Sequence, residues 1–308
     1  MRRRFSRYLF SLCTTAAVLA ACGRLSQPES DAASGAFRAS WMASEAKGDD
    51  LLYVSDEVGN SVYVLAYPKR KLVGMLTGFG SPAGECADKL GNVWIVNQTP
   101  AELIEYVHAG TTPIATLHLP GNTPYGCAVD RRTGNLAATS SAGVSIFANA
   151  QGAPTTYSVT ATYCVYDGRG DLFVDSDPME ELPRVGGPFR SIGVFVTGVR
   201  GGLQWDGEYL VDAADPQSGT GDEVAIYQVE VTGTGAGIIG AALLTGRSFS
   251  SGSQFSLAGK TIIQPDVNGP GVALYAYPSG GSPKKNLKIL GASRLWGTAV
   301  SRGKTGER

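Results

Sequence analysis

The sequence predicts an all-β fold, more narrowly a six-bladed β-propeller whose ring is closed by a C-terminal inner strand joining the first blade. Three observations predict it. The chain carries 41 glycines and few charges. It has no long apolar i, i+3, i+4 pattern beyond its first 21 residues, and short β-branched and aromatic runs recur instead. A unit of about 40 residues repeats along the chain, the period of a propeller blade.

The repeat is clearest where Ser81-Pro82-Ala83-Gly84-Glu85-Cys86-Ala87-Asp88 aligns with Thr123-Pro124-Tyr125-Gly126-Cys127-Ala128-Val129-Asp130. Each leads through a Gly-Asn turn into a strand, Val93 to Val96 and Leu136 to Thr139. Degenerate copies follow at Tyr163 to Val174 and Gly202 to Val211, and weaker ones at Gln254 to Ile263 and Asp50 to Val54. Their turns fall at Asp50, Gly91, Gly134, Gly170, Gly207 and Gly259, which implies six blades. Third strands are predicted over Ser61–Tyr67, Glu102–Val107, Val144–Ala148, Met179–Leu182, Val224–Val229 and Val272–Tyr277. Outer strands are predicted over Leu72–Leu76, Ile114–Leu119, Thr155–Val159, Ile192–Val196, Ile238–Leu243 and Leu287–Leu290. The Asp50 hairpin lacks an inner strand before it, and Leu295–Val300 is an inner strand with no hairpin after it. Each supplies what the other lacks, so the C-terminal strand should complete the first blade and remove two exposed sheet edges.

Four arginines, Arg2, Arg3, Arg4 and Arg7, precede an apolar run ending at Ala21, the layout of an export signal. The run is too short to span a membrane. Leu19-Ala20-Ala21-Cys22 resembles a bacterial lipobox, which implies that Cys22 is lipidated and becomes the first residue of the mature chain. The basic start suits the twin-arginine and the general secretory routes alike. Gly23 in place of aspartate favours the outer membrane in a Gram-negative host. The expected organisation is a leader over 1–21, lipidated Cys22 and a flexible tether to 48, the propeller over 49–301 and a polar tail over 302–308. Removing the leader leaves 22 basic against 27 acidic residues, a net charge of −5, which argues against a nucleic-acid partner.

The Pro-x-Gly motifs followed by Gly-Asn and a strand resemble six-bladed propellers of the NHL and gluconolactonase type. In the hydrolases of that group, the resemblance implies a divalent cation held in the channel by a glutamate and asparagines at inner-strand starts. Here Gly80 occupies the glutamate position, and Ala83, Tyr125 and Trp296 occupy the asparagine positions. One nearby carboxylate, Glu85, cannot supply the several oxygens a hard cation requires, so it reads as a solvated channel-wall residue and no metal or cofactor is expected. The two histidines, His108 and His118, fall on or beside outer strands of one blade and read as surface residues. No nucleophile elbow, zinc helix or phosphate loop occurs. Arg169-Gly170-Asp171 is the repeat's turn.

Cys86, Cys127 and Cys164 lie in three successive inner strands. They read as small buried side chains, because packed sheets about 10 Å apart are too distant for a disulfide without convergence at the axis. Tyr125, Trp296 and Trp205 are candidate ligand contacts at a channel mouth, with packing between blades as the alternative, and the channel-wall Glu85 is a fourth candidate contact. The expected function is therefore a monomeric, non-catalytic module, tethered to membrane lipid through Cys22 and binding a small ligand or an envelope protein at the periplasm or cell surface. A diverged lactonase-like hydrolase and a structural subunit of an envelope complex are the alternatives.

Overall fold

The computed structural model describes residues 39–196, 200–214, 224–246 and 252–303; the predicted leader, Cys22 and most of the tether lie outside them. Described residues form five sheets. The first runs in the order β1 (Trp41–Met42), β4 (Lys71–Thr77), β3 (Ser61–Tyr67), β2 (Asp50–Asp56) and β25 (Leu295–Ser301). The second comprises β5 (Pro82–Ala87), β6 (Val93–Asn97), β7 (Glu102–Tyr106) and β8 (Pro113–His118). The third comprises β9 (Cys127–Val129), β10 (Leu136–Ser140), β11 (Gly143–Phe147) and β12 (Thr155–Tyr157). The fourth comprises β13 (Cys164–Tyr166), β14 (Leu172–Val174), β15 (Glu180–Leu182) and β16 (Arg190–Ser191).

The fifth sheet has eight strands, in two halves that each repeat the four-stranded antiparallel meander. One half is β17 (Arg200–Trp205), β18 (Leu210–Ala214), β19 (Val224–Thr232) and β20 (Gly235–Leu244). The other is β21 (Ser256–Ala258), β22 (Thr261–Pro265), β23 (Gly271–Ala276) and β24 (Gly280–Lys288). A single parallel residue pair, Leu244 with Gly281, joins the halves at their outermost strands. The sheet count is therefore five where the sequence predicts six separate blades.

Strand burial explains why these residues form sheets. In β2, Leu51 and Tyr53 pack with Val93, Ile95 and Tyr106 of the second sheet, whereas Leu52 and Val54 pack with Ile263, Val272 and Leu274 of the fifth. A strand buried on both faces reads as a continuous apolar run, as Leu51 to Val54 does. Six such clusters occur among the described residues, each drawing on two successive four-stranded units. The C-terminal β25 pairs antiparallel with β2, Leu51 opposite Ser301 and Val54 opposite Thr298, the pairing expected from the incomplete first repeat.

Two local expectations are corrected. Residues 41–48, read as tether, belong to the fold: β1 pairs with β4 at Trp41–Met75 and Met42–Gly74, and a 3-10 turn over Ser44–Gly48 buries Ala46 completely. Gly74 allows this, since a Cβ there would collide with the Met42 side chain. The outer strand expected at Ile192–Val196 forms instead at Arg190–Ser191, where Arg190 makes two-pronged contact with Glu181. Ile192, Val194 and Val196 are buried, but they bridge neighbouring units: Ile192 N–H donates to Met179 O, and Ile192 O accepts from Ala236 N–H of β20.

Candidate functional site

The first strand of each unit, with β25 for the first sheet, brings its residues to a common cavity of about 450 Å³. Its walls include Gln204, Trp205, Ser256, Thr298 and the three cysteines. Turn residues Asp130, Arg131, Asp167 and Asp206 also line it, which places its mouth where the first strands turn into the second.

The opposite end is drawn together by backbone hydrogen bonds between inner-strand starts. Gly84 N–H donates to Tyr125 O at 2.8 Å, Gln254 N–H to Trp296 O at 2.8 Å, and Phe255 N–H to Gly201 O at 3.1 Å. Ser55 Oγ donates to Ala83 O and accepts from Gly297 N–H at 2.8 Å. The Tyr163 hydroxyl reaches Gly252 O at 2.5 Å. Such approach demands the absence of side chains: a Cβ on Gly84 would strike Tyr125 O and Gly126 Cα, and one on Gly297 would strike Ala83 O. Gln254 adds a strap across the axis, its Oε1 accepting Glu85 N–H at 2.6 Å and its Nε2 donating to Glu85 O at 3.0 Å. The repeated glycine of the Pro-x-Gly motif was the legible signal for this closure; the Gln254 strap had none.

Glu85 is not a solvated wall residue. It is 1% exposed, and its carboxyl oxygens have no hydrogen-bond partner of good geometry among the described residues. Burial pushes its pKa well above the ordinary carboxylate range, which the nearby Ala299 backbone amide offsets only in part. Glu85 lines the cavity, yet register places it opposite Ile95, on the face that packs with Tyr53, whose hydroxyl it helps push up to about 12, after the larger effect of burial.

The cysteines are also corrected. Cys86 and Cys127 form a disulfide with Cα atoms 5.7 Å apart, since inner strands converge at the axis far below the usual sheet spacing. Cys164 is free and buried, its thiol pKa raised by burial and by Asp175. The repeat explains the difference. Cys86 occupies the position of Ala128, and Cys127 that of Cys164, so the neighbour that faces Cys164 is alanine, in the same buried cluster.

The three aromatic candidates do not gather at one mouth. Tyr125 and Trp296 sit half-buried at the closed end, where the Arg294 guanidinium lies 5.3 Å from the Trp296 ring centre. Trp205 lies at the open end, lining the cavity and a smaller pocket of about 200 Å³ with Asp167, Asp171 and Glu208. Carboxylates at this mouth are engaged with their own turns: Asp130 accepts from Arg132 N–H, Asp167 from the N–H groups of Arg169, Gly170 and Asp171, and Asp206 from Glu208 and Tyr209 N–H.

His118 is exposed, 3.7 Å from Glu102. His108 is half-buried rather than on the surface, its Nδ1 2.6 Å from Ser301 Oγ. That pair has the residue types of a nucleophile and its base, but Ser301 is fully buried and its hydroxyl donates to Gly91 O. Ser301 Oγ therefore accepts from the Nδ1–H of His108, which makes the pair structural. The cation site implied by the gluconolactonase resemblance does not fit either. Gly80 packs against the Thr99 carbonyl where a Cβ would clash, and no group of three potential ligands occurs among the described residues.

No protein-family model and no curated protein sequence matches the chain. Solved structures do. A chain of a nidogen/laminin complex is similar with a TM-score of 0.65 at 15% identity, covering 82% of this chain and 99% of that one. A Bacteroides caccae protein of unknown function gives a TM-score of 0.58 at 13% identity over 82% and 99%. The Cps50 β-propeller domain of Myceliophteria thermophila gives 0.50 at 10% identity over 82% and 86%. What the chain shares with them is its fold, an all-β structure of β-propeller architecture.

Proposed function

We propose that the chain is a lipid-anchored envelope protein whose NHL-like domain is a closed ring of six four-stranded blades acting as a non-catalytic binding module. The single parallel pair between β20 and β24 then bridges two adjacent blades, and the six clusters are the wedges between blades. Export is supported by the Cys86–Cys127 disulfide, a bond that persists in oxidising compartments. Anchoring rests on the lipobox-like placement of Cys22 after the apolar run.

The observation that carries the binding reading is the cavity open at one end and closed at the other, a concave site with polar Gln204 and Ser256 beside the aromatic Trp205. A stacking ring beside amide and hydroxyl groups suits a neutral polar ligand or a protein loop. The test is binding of purified protein to glycan arrays and fractionated envelope extracts. A captured species should bind Trp205→Ala about 10-fold or more weakly, in line with loss of an aromatic anchor. Tyr125→Ala, at the other end, should bind unchanged. Chelator-sensitive hydrolysis across a lactone panel would replace this reading with the hydrolase alternative, and co-purification of a stoichiometric envelope protein would favour the structural-subunit alternative.

A further inference from the structure

We propose that a groove between the third and fourth sheets is a second binding site, one that takes an organic cation carrying an alkylated ammonium group. It is separate from the open-end cavity, with which it shares no lining residue. The groove measures about 620 Å³, and its walls include Tyr157, Phe189, Asp177, Glu180, Ser158 and Thr160.

The backbone sets these side chains in place. Tyr157 ends β12, where Val159 N–H donates back to Tyr157 O at 2.9 Å and turns the chain toward β13. Gly143 permits the approach, because a Cβ there would strike the same carbonyl. On β15, alternation sends Glu180 and Glu181 to opposite faces. Glu181 is buried and holds Arg190, which lies opposite it in register. Phe189, one residue before Arg190, turns the other way and lines the groove with Glu180. The Tyr157 and Phe189 rings meet edge to face, 5.4 Å between centres at 80°, and so form two walls of a corner. Both are half-buried against the cluster between the two sheets and keep an open side.

Charge is what points to a cation. The face of an aromatic ring is negative. Asp177 and Glu180 add two carboxylates to the same groove, and among the described residues these take no hydrogen bond and no ion pair. No lysine, arginine or histidine lines it among the described residues, and Arg190, beside Phe189 in sequence, is already paired with Glu181. The aspartates at the open end differ, since the N–H groups of their own turns engage them. Two ring faces and two carboxylates with nothing positive between them repel when the groove is empty, and a cation relieves that repulsion. A hard metal ion is the wrong occupant: two carboxylates cannot complete its oxygen shell, and no group of three potential ligands occurs among the described residues. An alkylated ammonium suits the corner, because its methyl groups pack on the rings while its charge meets the carboxylates without a fixed coordination geometry.

The test is titration with choline, followed by amide NMR of Tyr157, Phe189 and Glu180, beside the neutral analogue in which a tert-butyl group replaces the trimethylammonium. Choline should shift these amides saturably and bind about 10-fold or more tightly than the analogue, with an affinity that falls as salt rises. Phe189→Leu, and Asp177→Asn combined with Glu180→Gln, should each weaken choline by a similar factor. Trp205→Ala, in the open-end cavity, should leave it unchanged, so the two sites succeed or fail separately. Should Phe189→Leu fail to fold, the carboxamide variant decides, since neither carboxylate it replaces has a partner to lose among the described residues. Absence of a saturable shift, equal binding of the neutral analogue, or unchanged affinity in the carboxamide variant overturns the proposal. Given choline binding, a matching response to phosphatidylcholine vesicles assigns the ammonium group to a lipid headgroup, and a response to choline alone assigns it to a soluble molecule.

Discussion

Asp50 and Arg302 are 252 residues apart in sequence, yet the Arg302 guanidinium lies 2.9 Å from one Asp50 carboxylate oxygen, while the other accepts Gly303 N–H at 2.9 Å. Elsewhere an aspartate at the end of an inner strand caps the turn that leads to the next, as Asp88 does for Leu90 and Asn92. Between β25 and β2 there is no covalent turn to cap. An aspartate on the receiving strand supplies the same acceptor to the arriving chain end.

Removal of that end tests the junction. Deleting Ala292 to Arg308 exposes the inner edge of β2 and one side of the clusters holding Leu295 and Ala299. The expected outcome is aggregation or a large drop in urea midpoint. Asp50→Asn, which keeps the acceptor and removes only a partly exposed charge, should cost no more than about 1 kcal/mol in the same assay.

The disulfide between neighbouring inner strands closes a loop with a sequence separation of 41. Chain entropy gives a stabilisation of about 4 kcal/mol for such a loop. Reduction, or Cys86→Ser with Cys127→Ser, should lower the unfolding free energy by up to that amount, measured by denaturant melts with and without a reductant.

The neighbouring interface should accept the same staple. Ala128 stands at the repeat position of Cys86, opposite Cys164. In oxidised protein, Ala128→Cys is expected to lose the free thiol of Cys164 and to gain a second bridge, read by thiol titration and peptide mapping. A reactive thiol at both positions after oxidation would show that the equivalence fails.

Closure of the axis makes two glycines intolerant. Gly84→Ala and Gly297→Ala place a methyl group against backbone atoms that cannot swing away, and each should cost about 1–3 kcal/mol or more in thermal or urea melts. Gly207→Ala is the contrast: space is open there, and its φ of +109° makes the cost one of backbone strain, without a clash.

Cys22→Ser should leave an unlipidated precursor, because only a thiolate is nucleophilic enough for the lipid transfer. Labelled palmitate reports it: unchanged incorporation into the mutant would remove the anchor.

The sequence by itself determined the strands and the meeting of the chain ends. Apolar runs such as Leu51 to Val54 must be buried on both faces, and an inner strand without a hairpin must find the hairpin without an inner strand. Those are local and edge-pairing constraints, legible from pattern alone. What tertiary structure decided is how far neighbouring strands converge. Repeat position could not show that Cys86 reaches Cys127 while Cys164 faces alanine, that Glu85 is buried, or that Gln254 bonds to the Glu85 backbone. Nor could it separate Trp205 from Tyr125 and Trp296, which stand at opposite ends. Distances between units depend on how closely the sheets pack, and that spacing is a property of the assembled side chains, absent from any one repeat.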